Sequence, residues 1–480
     1  MAVRTGAEFL RGLKDDRSIW VGNEKVTDAV SHPAFAGAAQ GMAAVFDLQH
    51  QAPDDLLIPD PETGEAINVS HMIPRSPEDI KRRHRGLRRI AEHTVGVMGR
   101  TPDYMNVTYA GFAGCHDEWS VFGNEAGAAR QVEYQKFLRR QDISLTHTLI
   151  HPTIDKARDE APGQENDVIL RKVADTEHGI IVRGARILAT LAPFSDEIAV
   201  YPGRPLPEGA DKFAVSFCIP MATPGLKFIC RDSVAGGTNR FDHPLSSRFD
   251  EQDAFVVFDD VEIPRDRVFI DANAKVYNHV MTKSWNANVM QQTMVRAATK
   301  LEFAWGLATA MAEVIGDKSP NAQQLLGELW SYAELARAAV QAAEDRPIEW
   351  SNGVWTPAPE PFSALRATMP FWMPRANEII TLLGSHNLLA TPTWAMMKNP
   401  DLRPYIDKYL PGAHGVDAER RIRLFRLAWD FAGTALASRV ALYERFYLTS
   451  GQRNQIRAQS NAPRARAMAL VERFLTEPVD

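Results

Sequence analysis

The chain changes periodicity twice, and this limits the folds open to it. From about residue 5 to residue 145, apolar residues recur mostly at helical spacing, as in Ile80 to Val97 and Glu125 to Leu138. Between about residues 150 and 275 the pattern becomes a series of short β-branched or aromatic runs. They are Val168-Ile169-Leu170, Ile180-Ile181-Val182, Ile198-Ala199-Val200-Tyr201, Phe213-Ala214-Val215-Ser216-Phe217, Leu226-Lys227-Phe228-Ile229 and Phe255-Val256-Val257-Phe258, separated by glycine, proline and aspartate turns. After about residue 276 helical spacing returns in Met290 to Ile315, Asn321 to Glu344, Ala376 to Leu383 and Glu419 to Phe446. Helices of this length, joined by short connections, bury their apolar faces in a bundle. The expected class is α+β, with an N-terminal helical domain over residues 1–148, a central antiparallel β-barrel or sheet domain over 149–275, and a helical bundle over 276–480. Gln51 to Asp55 and Pro59 to Gly64 interrupt the first helical part as a long excursion or hairpin.

With 480 residues and a formal net charge of -6, the chain can build two or three cores and lacks the balance of a polyanion binder. The basic run Lys81 to Arg89, preceded by Glu78 and Asp79, therefore reads as the solvated face of a helix and not as a nucleic-acid surface. No apolar run approaches the ~20 residues needed to span a bilayer, and Met1 to Gly6 lacks an apolar signal core, so neither membrane insertion nor export is expected. Cys115, Cys218 and Cys230 are odd in number and not closely paired, which fits a reducing compartment such as the cytoplasm. Neither a glycine-rich dinucleotide fingerprint nor a phosphate loop is present, and Gly236-Gly237 reads as a turn. His147 and His151 have a spacing that could bind zinc on a helix. The intervening residues favour a strand, Pro152 follows, and no third ligand is near, so no metal is expected.

Arg100, Tyr104 and His147 are the residues with the most chemical content. A guanidinium and a phenolic donor favour an oxyanion, while an imidazole accepts a proton, so together they could hold and deprotonate an acidic hydroxyl. Spacing does not bring them together. A salt-bridged arginine beside a Thr101-Pro102 helix start, and a structural histidine, explain the same residues.

Several segments, in order along nearly the whole chain, resemble the oxygenase component of 4-hydroxyphenylacetate 3-monooxygenase. They are Arg4 to Leu10, His32-Pro33-Ala34-Phe35, Gly99 to Tyr104, His243 to Glu251 and Leu442 to Phe446. The resemblance implies the acyl-CoA dehydrogenase-like fold, with a C-terminal four-helix bundle, and a two-component phenol hydroxylase. Such an enzyme takes FAD, as FADH2 from a separate NAD(P)H:flavin reductase by diffusion, with molecular oxygen as co-substrate. It hydroxylates ortho to a phenolic hydroxyl through a flavin hydroperoxide and is typically a homotetramer. Among its relatives is a 4-hydroxybutyryl-CoA dehydratase type of lyase, whose iron-sulfur cluster needs more cysteine ligands than this chain offers. A noncatalytic flavin-binding protein on the same fold is a third reading, and retention of Arg100, Tyr104 and His147 argues against it.

The same resemblance assigns site residues. Arg100, Tyr104 and His147 become the catalytic residues that contact the phenolic hydroxyl. Flavin contacts fall on His147, Thr148 and Leu149, on Thr153, Ile154, Asp155 and Lys156, on Thr190, and on Ser450, Gly451, Gln452 and Arg453, where Arg453 could pair with a phosphate. The bland reading of that last turn is a helix end with a glycine stop. The chain departs from the family pattern at Gly203 and Arg204, where small hydroxyl residues receive the substrate's carboxylate end. Arg204 could grip an anionic substituent, or the loop could admit a different phenol.

Overall fold

The structure is a computed structural model that describes residues 3–154, 168–283 and 286–477. The chain begins with a helix set by local chemistry. The Thr5 hydroxyl accepts the Glu8 N–H at 3.2 Å, and the Glu8 carboxylate accepts the Thr5 N–H at 2.8 Å, a reciprocal cap that starts α1 (Gly6–Gly12). The strand pair β1 (Ser18–Val21) and β2 (Glu24–Val26) follows, then α2 (Ala36–Gln51). The expected excursion is a hairpin of β3 (Leu57–Pro59) and β4 (Ala66–Asn68). Pro77 at the first position of α3 (Pro77–His93) and Pro102 at that of α4 (Pro102–Gly114) occupy places where no intrahelical N–H is needed. Helix α4 is buried along almost its whole length, and α5 (Glu125–Gln141) packs beside it.

The basic run lies on α3 and is only partly solvated, contrary to the sequence expectation. Arg83 is fully buried and donates to Gln291 Oε1 at 2.8 Å, while Arg82 donates to the Asp55 and Leu57 carbonyls at 2.6 and 2.9 Å. The arginines there clamp neighbouring backbone as much as they solvate the helix.

Ten strands form two sheets. After β5 (Leu145–His147) come β6 (Arg171–Asp175), β7 (Gly179–Thr190), β8 (Glu197–Val200), β9 (Ser216–Pro220), β10 (Leu226–Cys230), β11 (Asp253–Pro264) and β12 (Val268–Ile270). One sheet runs β2-β1-β10-β11-β7-β6 and the other β12-β9-β8-β5. Both are open among the described residues, so sheet rather than barrel is correct. Nor is the pairing wholly antiparallel. Strand β1 pairs in parallel with β10, and β5 in parallel with β8, because both come from the helical N-terminal part and enter by long crossovers instead of hairpins. The expected run at 168–170 makes only a bridge from Ile169 to Ala185. The Ile169 carbonyl lies 2.5 Å from where a Cβ on Gly184 would stand, and Gly184 has φ +124°.

Helix α6 (Ala274–Lys283) leads into a bundle of α7 (Asn286–Val314), α8 (Pro320–Glu344) and α9 (Pro359–Leu389), against which α10 (Ala418–Ala432) and α11 (Ala435–Phe446) pack. The expected single helix from 419 to 446 is two. Gly433 lies against the Trp429 ring with no room for a side chain, and Thr434 caps α11 by accepting the Ala437 N–H at 3.4 Å. The break matters because α11 carries the bundle's share of the site. The chain ends in α12 (Gly451–Asn461) and α13 (Ala465–Leu475). None of the helices described is long and apolar enough to cross a membrane.

Candidate active site

Arg100, Tyr104 and His147 converge. Tyr104 stands in the first turn of α4, and His147 ends β5, paired with Ala199 of β8. Their rings stack at 5.5 Å between centroids, with 17° between planes. The Arg100 guanidinium carbon lies 3.9 Å from the Tyr104 ring centre, a cation over a π face. Tyr201, just past β8, closes the other side of His147 at 5.6 Å between ring centroids.

The bundle supplies a third wall. Spacing of four residues on α11 places Arg439, Tyr443 and the following Tyr447 one above another, and the two tyrosines stack at 4.5 Å. Arg100 donates a hydrogen bond to the Tyr443 hydroxyl. Gly99 allows this approach, since a Cβ there would stand 2.1 Å from that oxygen. The Arg100 N–H is held by Glu251 Oε1 at 2.6 Å, and the second Glu251 oxygen accepts from Arg439 at 2.6 Å. Arg439 also grips Asp253 at 2.6 and 2.9 Å, and Arg231 joins Asp253 to Asp250. Behind this, Arg296 and Lys300 of α7 share the buried Glu444 carboxylate at 2.7, 3.0 and 3.3 Å.

These surroundings set protonation. Burial, and secondarily the Arg100 charge, push the His147 pKa well below its ordinary value, so the imidazole is neutral at physiological pH, and its buried Nδ1 has no hydrogen-bond partner among the described residues. For Arg100, burial works against the charge, but Tyr104, Tyr443 and Glu251 outweigh it and raise the pKa further. A neutral base therefore sits beside a permanent cation. Burial lifts Asp103, in the same turn as Tyr104, to about 6.

The proposed flavin contacts divide. Thr148 is buried, its N–H donating to the Ala199 carbonyl at 3.0 Å and its hydroxyl to the Ile187 carbonyl at 3.3 Å. Thr190 is also buried beside β5, where its carbonyl accepts from the Thr146 hydroxyl at 2.5 Å. Its own hydroxyl donates to Asp253 at 2.8 Å, which leaves the oxygen's lone pairs to accept from a ring N–H. Leu149 packs against Gly203, where a Cβ would stand 2.9 Å from the Leu149 Cβ. Thr153, Ile154, Gln452, Arg453 and Arg204 lie at the surface, apart from the buried trio, and Asp155 and Lys156 fall outside the described residues. Ser450 caps α12 by accepting the Arg453 N–H at 3.3 Å, while Gly451 abuts Phe371. The last turn is thus a helix start with open amides, not a glycine stop. The residues present fit a flavin, with an orphan imidazole nitrogen and an accepting hydroxyl for the ring, and amides with an arginine for phosphate.

Sequence reasoning passed over Tyr201, Tyr443, Glu251 and Arg439 as site residues. Tyr443 and Glu251 stood inside the segments that carried the resemblance, which was the available signal.

A neutral buried base, a cation and stacked phenols, set between open sheets and a helical bundle, define an acyl-CoA dehydrogenase-like flavoprotein site. Residues 5–270 match the 4-hydroxyphenylacetate 3-hydroxylase N-terminal family and residues 278–476 its C-terminal family, so the chain belongs to the 4-hydroxyphenylacetate 3-hydroxylase family. It is 38% identical over 447 residues to the 4-hydroxyphenylacetate 3-monooxygenase oxygenase component of Thermus thermophilus, covering 92% of this chain and 91% of that one. It is similar to a solved oxygenase component of that enzyme in complex with FAD, at TM-score 0.93 and 36% identity, covering 99% and 98% of the two chains. A solved complex with FAD and 4-hydroxyphenylacetate gives TM-score 0.92 and 35% identity over 98% of each.

Proposed function

We propose that the protein is the oxygenase component of a two-component, FADH2-dependent monooxygenase that hydroxylates a phenol ortho to its hydroxyl. The observation that carries this reading is the neutral, buried His147 stacked on Tyr104 beside the Arg100 cation, in a chain of this family. Reduced FAD and molecular oxygen supply the electrophilic oxygen atom, and a separate reductase supplies the electrons. We assign the cofactor to His147, Thr148, Leu149, Thr190 and the Ser450–Arg453 turn, between segments 149–275 and 276–480, taken with 1–148 as the three domains.

The side chains do the rest. The phenol's proton passes to the His147 imidazole, while Arg100 and Tyr104 hold the phenolic oxygen. A phenol's reference pKa is ~10, and a cation held beside it lowers that value, so that the proton is lost more readily and the resulting phenolate is richer in electrons at the ortho carbon. That carbon forms the new C–O bond with one atom of O2 and loses its proton as the ring regains aromaticity, while the other oxygen atom leaves as water. The buried Tyr201 and the half-buried Tyr443 and Tyr447 wall the site and restrict water at the reacting atoms.

The dehydratase-type lyase is less well supported. Cys115, Cys218 and Cys230 lie on separate elements, and burial pushes the Cys115 and Cys230 thiols up to about 12. The three free thiols also support a cytoplasmic setting.

The test is to mix the anaerobic protein with chemically reduced FAD, with no reductase present, then add oxygen and a panel of phenols. A product heavier by one oxygen atom is expected, and its appearance without the reductase supports transfer by diffusion. Release of hydrogen peroxide with every phenol unchanged would overturn the reading.

We further propose a homotetramer. Met468, Leu470, Val471, Phe474 and Leu475 leave an exposed apolar stripe at helical spacing on α13, which a second copy would cover. Light scattering should give four times the chain mass of 53.5 kDa, and a monomer mass would refute this.

A further inference from the structure

Building on the hydroxylase reading, we propose that Arg186 is a buried receptor for an oxyanion and takes the acidic substituent of the phenol, on the side of the ring away from His147. Arg186 is then the residue that selects a para-acidic phenol over its neutral analogues.

Arg186 lies on β7 opposite Val256 and is 1% exposed. One guanidinium nitrogen, Nη1, donates to the Leu149 carbonyl at 2.7 Å and lies 3.3 Å from His151 Nε2. The other two, Nε and Nη2, are buried and make no hydrogen bond among the described residues. A guanidinium carries five donors, and enclosing a charged donor without a partner costs several kcal/mol. By contrast, Arg296 and Arg439 each meet a carboxylate. Arg186 has no carboxylate partner among the described residues; its electrostatic and loosely hydrogen-bonding neighbour is the Tyr277 hydroxyl, which does not satisfy Nε or Nη2 in geometry. The local field is positive enough that burial, with Arg186 and Arg204, takes His151 down to about 2, so this histidine stays neutral.

Position connects the cation to the substrate. Leu149 lies two residues beyond His147, the last residue of β5, and two residues of extended chain advance about 6.6 Å, which is comparable to the span of a para-substituted phenol. The Leu149 side chain meets Gly203, and the Gly203 N–H reaches the Tyr277 hydroxyl at 3.3 Å, so Arg186, Tyr277, Gly203 and Arg204 gather at one end. With a phenolic hydroxyl at His147, the opposite substituent points toward this group. A carboxylate can satisfy both orphan donors in the bidentate geometry that suits arginine, once the loop at Gly203 and Arg204 shifts to admit it. Gly203 lets that loop lie directly on Leu149 and leaves the polar contact to the cation behind.

The test compares 4-hydroxyphenylacetate with its methyl ester in wild type, Arg186→Met and Arg186→Lys. In wild type, kcat/KM should favour the acid at least about tenfold, the scale of one charge-assisted hydrogen bond. Arg186→Met should remove that preference and Arg186→Lys should keep part of it. An unchanged ratio, or an equal loss on both substrates, overturns the proposal, the latter making Arg186 only a strut for the Leu149 carbonyl. A flavin phosphate is the other source of an oxyanion. If Arg186→Met weakens reduced FAD relative to reduced riboflavin and leaves the phenol ratio intact, the substrate assignment is overturned. Equilibrium binding of phenylacetate against phenylacetamide reads the same preference without turnover, so it tests Arg186 in a protein that hydroxylates neither phenol. Equal affinities in wild type would also overturn the proposal, whether or not the variants fold.

Discussion

Arg100→Met is expected to lower the rate of phenol hydroxylation by about 100- to 1000-fold, the usual loss when one donor to a developing oxyanion is removed. Oxygen should still be consumed, with the reducing equivalents appearing as hydrogen peroxide. The two effects separate because Arg100 faces Tyr104 and Tyr443, whereas Thr148 and Thr190 are held by other partners. Methionine keeps the bulk against Tyr104 and the backbone bond to Glu251, so the loss isolates the charge. Simultaneous assay of catechol product and peroxide makes the comparison. Product formation within threefold of wild type would remove Arg100 from the chemistry, and parallel loss of product and oxygen uptake would mean that it holds the cofactor instead.

The largest effect on stability should come from Glu444→Gln. Its carboxylate serves two buried cations, Arg296 and Lys300, which hold the Glu444 pKa down to about 2 even though burial alone would raise it. Removing one partner of a buried ion pair costs about 3–5 kcal/mol, because the remaining charge is left uncompensated. Lys300 softens the loss by shedding its proton, since burial already lowers its pKa and Arg296 lowers it further. A value near 3 kcal/mol is therefore expected from denaturant unfolding. Because Arg296 also lies 5.6 Å from the Tyr443 ring centre, activity should fall as well, through the wall that Arg100 touches. A change below about 1 kcal/mol would show that the triad is solvated in practice.

How much of this was legible in the sequence depended on distance along the chain. The succession of helix, sheet and bundle was readable, because periodicity is local. So was the excursion that became β3 and β4. Helix α9 was underestimated, since Pro370 and Pro374 argue against a helix locally, and packing on α7 and α8 overrides them. The parallel pairing of β1 with β10 joins residues some two hundred positions apart, and alternation carries no record of it. The same held at the site. Arg100, Tyr104 and His147 were found through resemblance, which stored their proximity, whereas Arg439 and its partners Glu251 and Asp253 were not. A salt bridge across 188 residues leaves no trace in spacing. Arg186 was hidden for a related reason. It occupies a position in a half-apolar strand, and nothing in the sequence tells a buried arginine from an exposed one.

The chain of contacts from Asp250 through Arg231, Asp253 and Arg439 to Glu251 and Arg100 crosses from the large sheet to α11 and back to the start of α4. Two arginines and three carboxylates alternate along it, the Arg100 backbone N–H closes its end, and Arg439 is the charge that ties the bundle to the sheet. Swinging the bundle away from the sheet would break several of these contacts at once and expose like charges to one another. Opening the cleft by moving the bundle would therefore cost more than local give in a loop such as that beyond Tyr201.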